Sequence, residues 1–412
     1  MSTKQLVWPR WPIADDHTLA QLKQVLESGR WAISGPYMGE PTREQRFAEK
    51  FAAYNGVHWC VTMDHGTSAL IAALEALDIG VGDEVIVPGL TWVAPALAVL
   101  AVNAMPVLAD IERDTCCMDP HAIEQSITPR TKAIVVVHMY GNMVDMDAIA
   151  ALAAQYDLAI VEDAAHSHGA SWKGNRAGSM GDIGVFSMQQ GKVLTCGEGG
   201  AAITNRIELK DRLEASAWNA RTRIAPAERL QYPMTLSEGQ PRFGLNRCLS
   251  EFQAAILLDQ LPRLARQNRV REEHADWLDR QLAQISGIRL MRKDTRIWER
   301  TYYGYVLQID PLTSTLSAYE LIQQLQQDLN MGDYLLHTAY KPLSRNPLFQ
   351  PHLKRHALGT DYLAELQKQM RPLPNCEYVH ANSIVFHHSI LLAEKEQLAQ
   401  LVHTIEQRMT GR

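Results

Sequence analysis

Hydrophobic and polar positions change rhythm several times along the chain. Leu19, Leu22, Val25 and Leu26 recur at helical spacing behind Asp15 and Asp16 and stop at Gly29, which predicts a helix over 16–28. From about Phe47, helical stretches alternate with short β-rich runs. GTSALIAALEAL (66–77) and the stretch Asp145 to Gln155 have a helical period. EVIVP (84–88), MPVLAD (105–110), KAIVVVH (132–138), LAIVED (158–163), GVFSM (184–188) and GAAIT (200–204) are short and apolar almost throughout. Apolar runs of this kind, separated by helices, belong to a mainly parallel sheet covered on both faces.

Between 218 and 247 the rhythm fails, and Pro226, Pro233, Gly239, Pro241 and Gly244 punctuate the segment. A loop this long inside a compact protein is usually functional. Ser250-Glu-Phe-Gln253 is a capping-box pattern that opens a long helical stretch to about Ile285. TYYGYVLQI (301–309) reads as a strand, with helices near 317–329 and 393–409, the last presenting Leu398, Leu401, Val402 and Ile405 on one face. The division expected is a large α/β domain over 1–250 and a smaller C-terminal α+β domain over 251–412, with the helix 16–28 packing against the smaller one. A chain of 412 residues favours two such cores over one.

Charge and composition then remove several classes. A net charge of −6 leaves no basic face to release counterions, so nucleic acid is an improbable partner. Apolar stretches are broken by Gly, Pro or charge well short of the roughly 20 residues a membrane span needs. The start, MSTKQLVWPRWPIADD, has no apolar h-region. Six cysteines lie scattered without a CxxC pair, which is neither a disulfide framework nor a zinc pattern. A cytoplasmic protein without a metal site is expected.

Three segments carry candidate chemistry. In HGTSAL (65–70), Gly66 and Thr67 open a helix whose free N–H groups and dipole suit an anion, although a plain helix cap explains the same residues. In VEDAAHSHG (161–169), Asp163 ends an apolar strand at the edge where open α/β sheets bind ligands. A carboxylate there could hold a protonated ring nitrogen, or simply cap a turn. His166 and His168 form an HxH pair without a third partner at ligand spacing. In FSMQQGKVLTCGEGGAAIT (186–204), Lys192 stands almost alone among apolar and small residues, so its amine would be partly desolvated and a usable nucleophile for a carbonyl. Ser187 and Gln190 supply polar contacts beside it. An anion cradle, a carboxylate for a pyridinium and a Schiff-base lysine, in that order, are the requirements of pyridoxal 5'-phosphate (PLP).

At this point the chain resembles a known family, the DegT/DnrJ/StrS sugar aminotransferases, over essentially its whole length. The likeness is carried by SGRWAISGPYMGE, SMQQGKVLTCGEGG, LSEFQAAILLDQL, TYYGYV, LNMGDYLLH, NPLF and SIVFHHSILLAE. Within that family these segments are most similar to the L-glutamine:(2-deoxy-)scyllo-inosose aminotransferases of aminocyclitol antibiotic pathways. The resemblance implies the fold-type-I, aspartate-aminotransferase-like architecture, PLP as cofactor and a homodimer with active sites at the interface. It assigns Lys192 as the Schiff-base lysine, Asp163 as the partner of the ring nitrogen and Trp92 as the aromatic stacked on the ring. Gly66, Thr67 and Ser187 match the phosphate cradle, and Asn246 an asparagine reaching the phosphate from the partner subunit. His166 stands where the family has Gln or His beside the ring hydroxyl.

The reaction implied moves the amino group of L-glutamine, or L-glutamate, to a keto-cyclitol or keto-sugar. Trp31, Ser34, Tyr37, Tyr340 and His388 are assigned to the mouth of the site, where they would read substrate hydroxyls. One departure points elsewhere: DAAHSHG, with His166, looks more like 3-amino-5-hydroxybenzoate synthase, a dehydrating and aromatising relative. The pair His387-His388 suits either reading.

Overall fold

The computed structural model describes residues 6–224, 234–353 and 360–411. Of the punctuating residues in the 218–247 segment, Pro226 and Pro233 lie outside the described residues.

Among the described residues, nine strands lie in the first half of the chain: β1 (Trp59–Met63), β2 (Glu84–Pro88), β3 (Met105–Ala109), β4 (Thr131–Val137), β5 (Ala159–Asp163), β6 (Ser171–Trp172), β7 (Asn175–Arg176), β8 (Ile183–Ser187) and β9 (Gly200–Thr204). Seven of them form one sheet in the order β1-β9-β8-β5-β4-β2-β3. β2, β3, β4, β5 and β8 run parallel, and β9 runs antiparallel to β8 and β1. Every side chain of β2, β3 and β9 is buried. Burial on both faces explains why these runs are apolar instead of alternating. Of these seven strands, β1 alone escapes the hydrophobic pattern. It is a sheet edge with Trp59 exposed, and it contributes one short buried run, Val61 to Met63.

A second sheet of four strands follows: β12 (Ile288–Leu290), β14 (Gly304–Ile309), β15 (Leu336–Thr338) and β16 (Ser383–His387), ordered β12-β14-β16-β15 and antiparallel throughout. Short ribbons complete the β structure. β10 (Arg221–Arg223) pairs with β11 (Leu236–Glu238), and β13 (Ile297–Glu299) pairs with β6.

Two hydrophobic cores correspond to the two larger sheets. The first includes Phe47, Phe51, Ile86, Val135 and Phe186, and the second Leu307, Leu321, Leu336, Phe386 and Leu401. One helix, Glu251–Leu282, joins both. Ser250 and Gln253 form its capping box, Leu257, Leu261 and Leu264 enter the first core, and Leu278 and Leu282 enter the second. The helix Asp16–Ser28 is capped by Asp15 and ends at Gly29 in the left-handed conformation. It is tied to the first half of the long helix: the Thr18 hydroxyl donates to Asp259 at 2.6 Å, and Arg263 donates to Asp15 at 2.9 Å. No described helix is long and apolar enough to cross a membrane.

Candidate active site

The C-terminal ends of β4, β5 and β8 open into a cavity of about 660 Å³, a volume typical of small-molecule sites, which run from about 300 to 1,000 Å³. Asp163, the last residue of β5, is buried at its base. Its Oδ1 accepts from the Ala165 N–H at 3.0 Å, and among the described residues it has no ion-pair partner. Burial raises its carboxyl above the usual range, opposed by the Ala165 N–H and by the charge of Lys192. The carboxylate is therefore set up to receive a cation from the cavity.

Lys192 lies in the turn between β8 and β9 and is 9 % exposed. Its Nζ stands 4.3 Å from the centre of the Tyr303 ring, within cation–π distance. On the opposite side, the helix Gly66–Ala76 starts without a side-chain cap, since the imidazole of His65 pairs instead with Glu198 at 3.0 Å. Its first-turn N–H groups are left for another acceptor. Gly66 is required here by close approach, because a Cβ on it would stand 2.6 Å from the Cβ of Ser187. Gly66, Thr67 and Ser187 all line the cavity.

His166 forms the aromatic wall. Its ring is stacked on Tyr303 with centroids 3.7 Å apart and planes 12° from parallel. Burial, then the charge of Lys192, pushes its pKa well below the usual imidazole range, so the ring is neutral, and among the described residues its Nδ1 has no partner. Tyr340 also lines the cavity, with Trp92 tilted against it at 6.0 Å. Trp92 remains nearly half exposed on the cavity side.

The structure thus brings Gly66, Thr67, Trp92, Asp163, His166, Ser187, Lys192 and Tyr340 together. Other residues go elsewhere. His388 is not at the mouth; it is fully buried and its Nε2 donates to the Gly191 carbonyl at 3.1 Å. β16 ends at His387, which faces the cavity in its place, and His388 falls in the turn that follows. Trp31, Ser34, Tyr37 and Asn246 are absent from the cavity of a single chain. The segment holding the first three is paired away from it, with Pro36 bridged to Met234 and the Thr235 N–H donating to the Gly35 carbonyl at 2.9 Å. Trp31 is exposed beside Phe252, and Asn246 is exposed, its Oδ1 facing the Cys248 N–H.

Residues not assigned to the site from sequence come mainly from the second sheet and its connections: Tyr303, Asp333, Tyr334, His337 and His387, the last noted there only as half of the pair His387-His388. The only signal for them is that they fall within TYYGYV, LNMGDYLLH and SIVFHHSILLAE. Among the described residues no group of His, Cys, Asp or Glu could hold a metal ion.

Residues 12–387 match the DegT/DnrJ/EryC1/StrS aminotransferase family. The chain is 44 % identical over 404 residues to the L-glutamine:2-deoxy-scyllo-inosose aminotransferase of Streptoalloteichus tenebrarius, covering 97 % of this chain and 93 % of that one. It is 41 % identical to the L-glutamine:scyllo-inosose aminotransferase of Streptomyces griseus, covering 94 % and 90 %. Among solved structures, 3-amino-5-hydroxybenzoic acid synthase superposes with a TM-score of 0.84 at 30 % identity, covering 99 % of this chain and all of that one. DesV of S. venezuelae, in complex with a ketimine intermediate, gives 0.78 at 30 % identity, covering 97 % and 99 %. Those matches, spanning both sheets and the cavity between them, make this chain an enzyme of the DegT/DnrJ/EryC1/StrS aminotransferase family.

Proposed function

We propose that this enzyme is a PLP-dependent aminotransferase that passes the amino group of L-glutamine, or L-glutamate, to a keto-cyclitol or keto-sugar such as (2-deoxy-)scyllo-inosose, in the biosynthesis of aminocyclitol or aminosugar natural products. One observation carries the reading: Lys192, the unpaired carboxylate of Asp163 and an uncapped helix N-terminus converge on one cavity. The donor set fits PLP. The helix end at Gly66 and Thr67, with the Ser187 hydroxyl, would hold the phosphate; Asp163 would pair with the ring nitrogen; Trp92 would cover the ring; and Lys192 would bond to the aldehyde.

PLP, when bound, supplies a carbonyl that condenses with amines and a ring that takes up the electrons of a broken C–H bond. The protein does the rest. Lys192 Nζ would serve as the base that takes the α-proton of the donor and would return a proton to the carbon that enters as the acceptor's ketone. Asp163, buried and without an ion-pair partner among the described residues, would favour a positive charge on the ring nitrogen. His166, neutral and wedged against Tyr303, closes one side of the site to water.

The keto acceptor reported in the names of the relatives carries several hydroxyls. Asp333, His337 and His387, all polar and all on the second wall, suit such a substrate. Trp31, Ser34, Tyr37 and Asn246 are best explained as contributions to the neighbouring cavity of a cytoplasmic homodimer. In support, their segments also expose Met38, Met234, Phe243 and Leu245, large apolar residues that an isolated chain leaves in water.

A second reading, a dehydrating and aromatising lyase, is favoured by His166 and by the likeness to 3-amino-5-hydroxybenzoic acid synthase. Visible absorption after reconstitution with PLP decides between them. A lysine-linked band that disappears on adding L-glutamine and returns with (2-deoxy-)scyllo-inosose is the expected result. A band untouched by L-glutamine and L-glutamate, with water eliminated from a cyclic amino-ketone, would establish the lyase. Absence of any band would overturn both.

A further inference from the structure

The turn that carries Lys192 is not held by its own sheet alone. Internally, the Gly191 N–H donates to Gln189 Oε1 at 2.7 Å and the Lys192 N–H to the Gln189 carbonyl at 2.8 Å. That leaves three successive carbonyls, of Gln190, Gly191 and Lys192, to find donors elsewhere. The Trp11 indole N–H lies 3.0 Å from the Gln190 carbonyl and 3.2 Å from that of Lys192. His388 Nε2 lies 3.1 Å from the carbonyl between them, that of Gly191.

A ring nitrogen facing a carbonyl must carry the hydrogen, so His388 is fixed as its Nε2–H form. Burial, with Arg271 and His387 close by, holds its pKa well below the usual imidazole range, and among the described residues Nδ1 has no partner. The two donors brace each other: the Trp11 and His388 rings meet edge to face, 4.6 Å apart. Beneath Trp11 lies Arg271, wholly buried, its guanidinium 5.1 Å from the indole centre and its Nη1 donating to Asn268 at 3.1 Å. Among the described residues it has no carboxylate partner, and burial lowers its pKa to about 9.

We infer that Trp11 and His388 are positioning residues for Lys192, fixing the direction of its side chain by clamping the three carbonyls of its turn from outside the seven-stranded sheet. The inference rests on the reading of Lys192 as the nucleophile. One donor comes from the N-terminal segment and the other from the turn after β16, so the nucleophile is set by parts of the chain some 180 to 200 residues away. A group that must both bond to a carbonyl and shuttle a proton tolerates little displacement, and an error near 1 Å can cost about a hundredfold in rate. Satisfying a turn's carbonyls would also serve stability alone, so the test must separate the two roles.

Four variants of the PLP-loaded protein make the test. Trp11→Phe keeps the ring over Arg271 and removes the N–H. His388→Leu removes the other donor, and His388→Gln offers an amide N–H close to where Nε2 stands. Lys192→Ala checks the underlying reading. For each, the pH midpoint of the lysine-linked visible band, kcat and KM for L-glutamine and the thermal midpoint are measured. Trp11→Phe and His388→Leu are expected to move the spectral midpoint by about half a pH unit or more. They should lower kcat about tenfold with KM changed less than about twofold, and His388→Gln should recover most of both. An unmoved midpoint with wild-type kcat in Trp11→Phe and His388→Leu overturns the inference. So does unfolding of both, or a loss that His388→Gln does not relieve, since either leaves only a role in stability. A wild-type band in Lys192→Ala instead sinks the reading of Lys192 itself.

Discussion

Two walls face each other across the cavity, and each ends in a pair of histidines. After β5 the pair is His166 and His168; at the end of β16 it is His387 and His388. In both pairs one imidazole lines the cavity and the other is fully buried. The walls differ in what accompanies the rings. The seven-stranded sheet presents an amine, a carboxylate and a row of free N–H groups, all anchored in backbone at strand and helix ends. The four-stranded sheet and its connections present Tyr303, Tyr334, Tyr340, His337 and His387, with Asp333 as the one carboxylate among the described residues. On the proposed function, the first wall would hold the charge that any member of the reaction class needs. The second holds shape and hydrogen-bonding groups, the features that tell one ketone from another.

That contrast can be broken or sharpened by substitution. Lys192→Ala should reduce amino transfer by roughly a thousandfold or more, because nucleophile and base are lost together; single-turnover kinetics on the reconstituted enzyme would check it. Asp163→Ala comes next, with a loss of about a hundredfold or more, since no other described carboxylate replaces it at the end of β5. Gly66→Ala should weaken PLP binding by about tenfold or more, measured by equilibrium dialysis. The added methyl would collide with Ser187 and push apart the helix end and β8. On the second wall, His387→Asn should raise KM for the keto acceptor about fivefold, the worth of roughly one hydrogen bond, and spare the half-reaction with L-glutamine. If it slowed the donor half-reaction as much as Asp163→Ala, the two walls would not be distinct in role.

The smallest effect is on acid stability. His166, His168, His387 and His388 all have pKa values depressed by burial, His168 and His387 to about 3. Below the ordinary imidazole value near 6.5 the unfolded chain binds protons that the folded protein does not. The stability they contribute is therefore complete above about pH 6.5 and declines as pH falls from there towards 3. Asp163, raised by burial, acts in the opposite sense. The thermal midpoint of the cofactor-free protein should fall between pH 7 and pH 5, and fall less in His168→Asn.

The legible part of the molecule follows this same division. Buried parallel strands are uniform apolar runs, so β2 to β5, β8 and β9 stand out with ends within a residue or so. Lys192 is conspicuous because it is the one lysine, with Glu198 the one other charge, in a stretch otherwise of uncharged residues. The reversed direction of β9 leaves no such trace, since a strand buried on both faces looks alike in either orientation. Tyr303 reads as one more apolar position of an antiparallel strand, although it is the ring against which His166 and Lys192 rest. His387 ends β16 opposite Gly304 and His388 begins the turn beyond it, a boundary that two identical neighbouring residues do not reveal. Trp11 lies in a short Pro-flanked segment with no periodicity at all.

The long helix Glu251–Leu282 has its own consequence, for how the molecule comes apart. Pro262 interrupts its ladder by removing the N–H that would reach the Leu258 carbonyl, yet the helix runs on because both of its halves are packed. A polypeptide ending at residue 250 would strip Leu257, Leu261 and Leu264 from the larger core and leave apolar surface in water. One beginning at 251 would carry the same leucines with nothing to cover them. Neither piece would cover its own apolar surface, so heat or denaturant should melt the two cores in a single step.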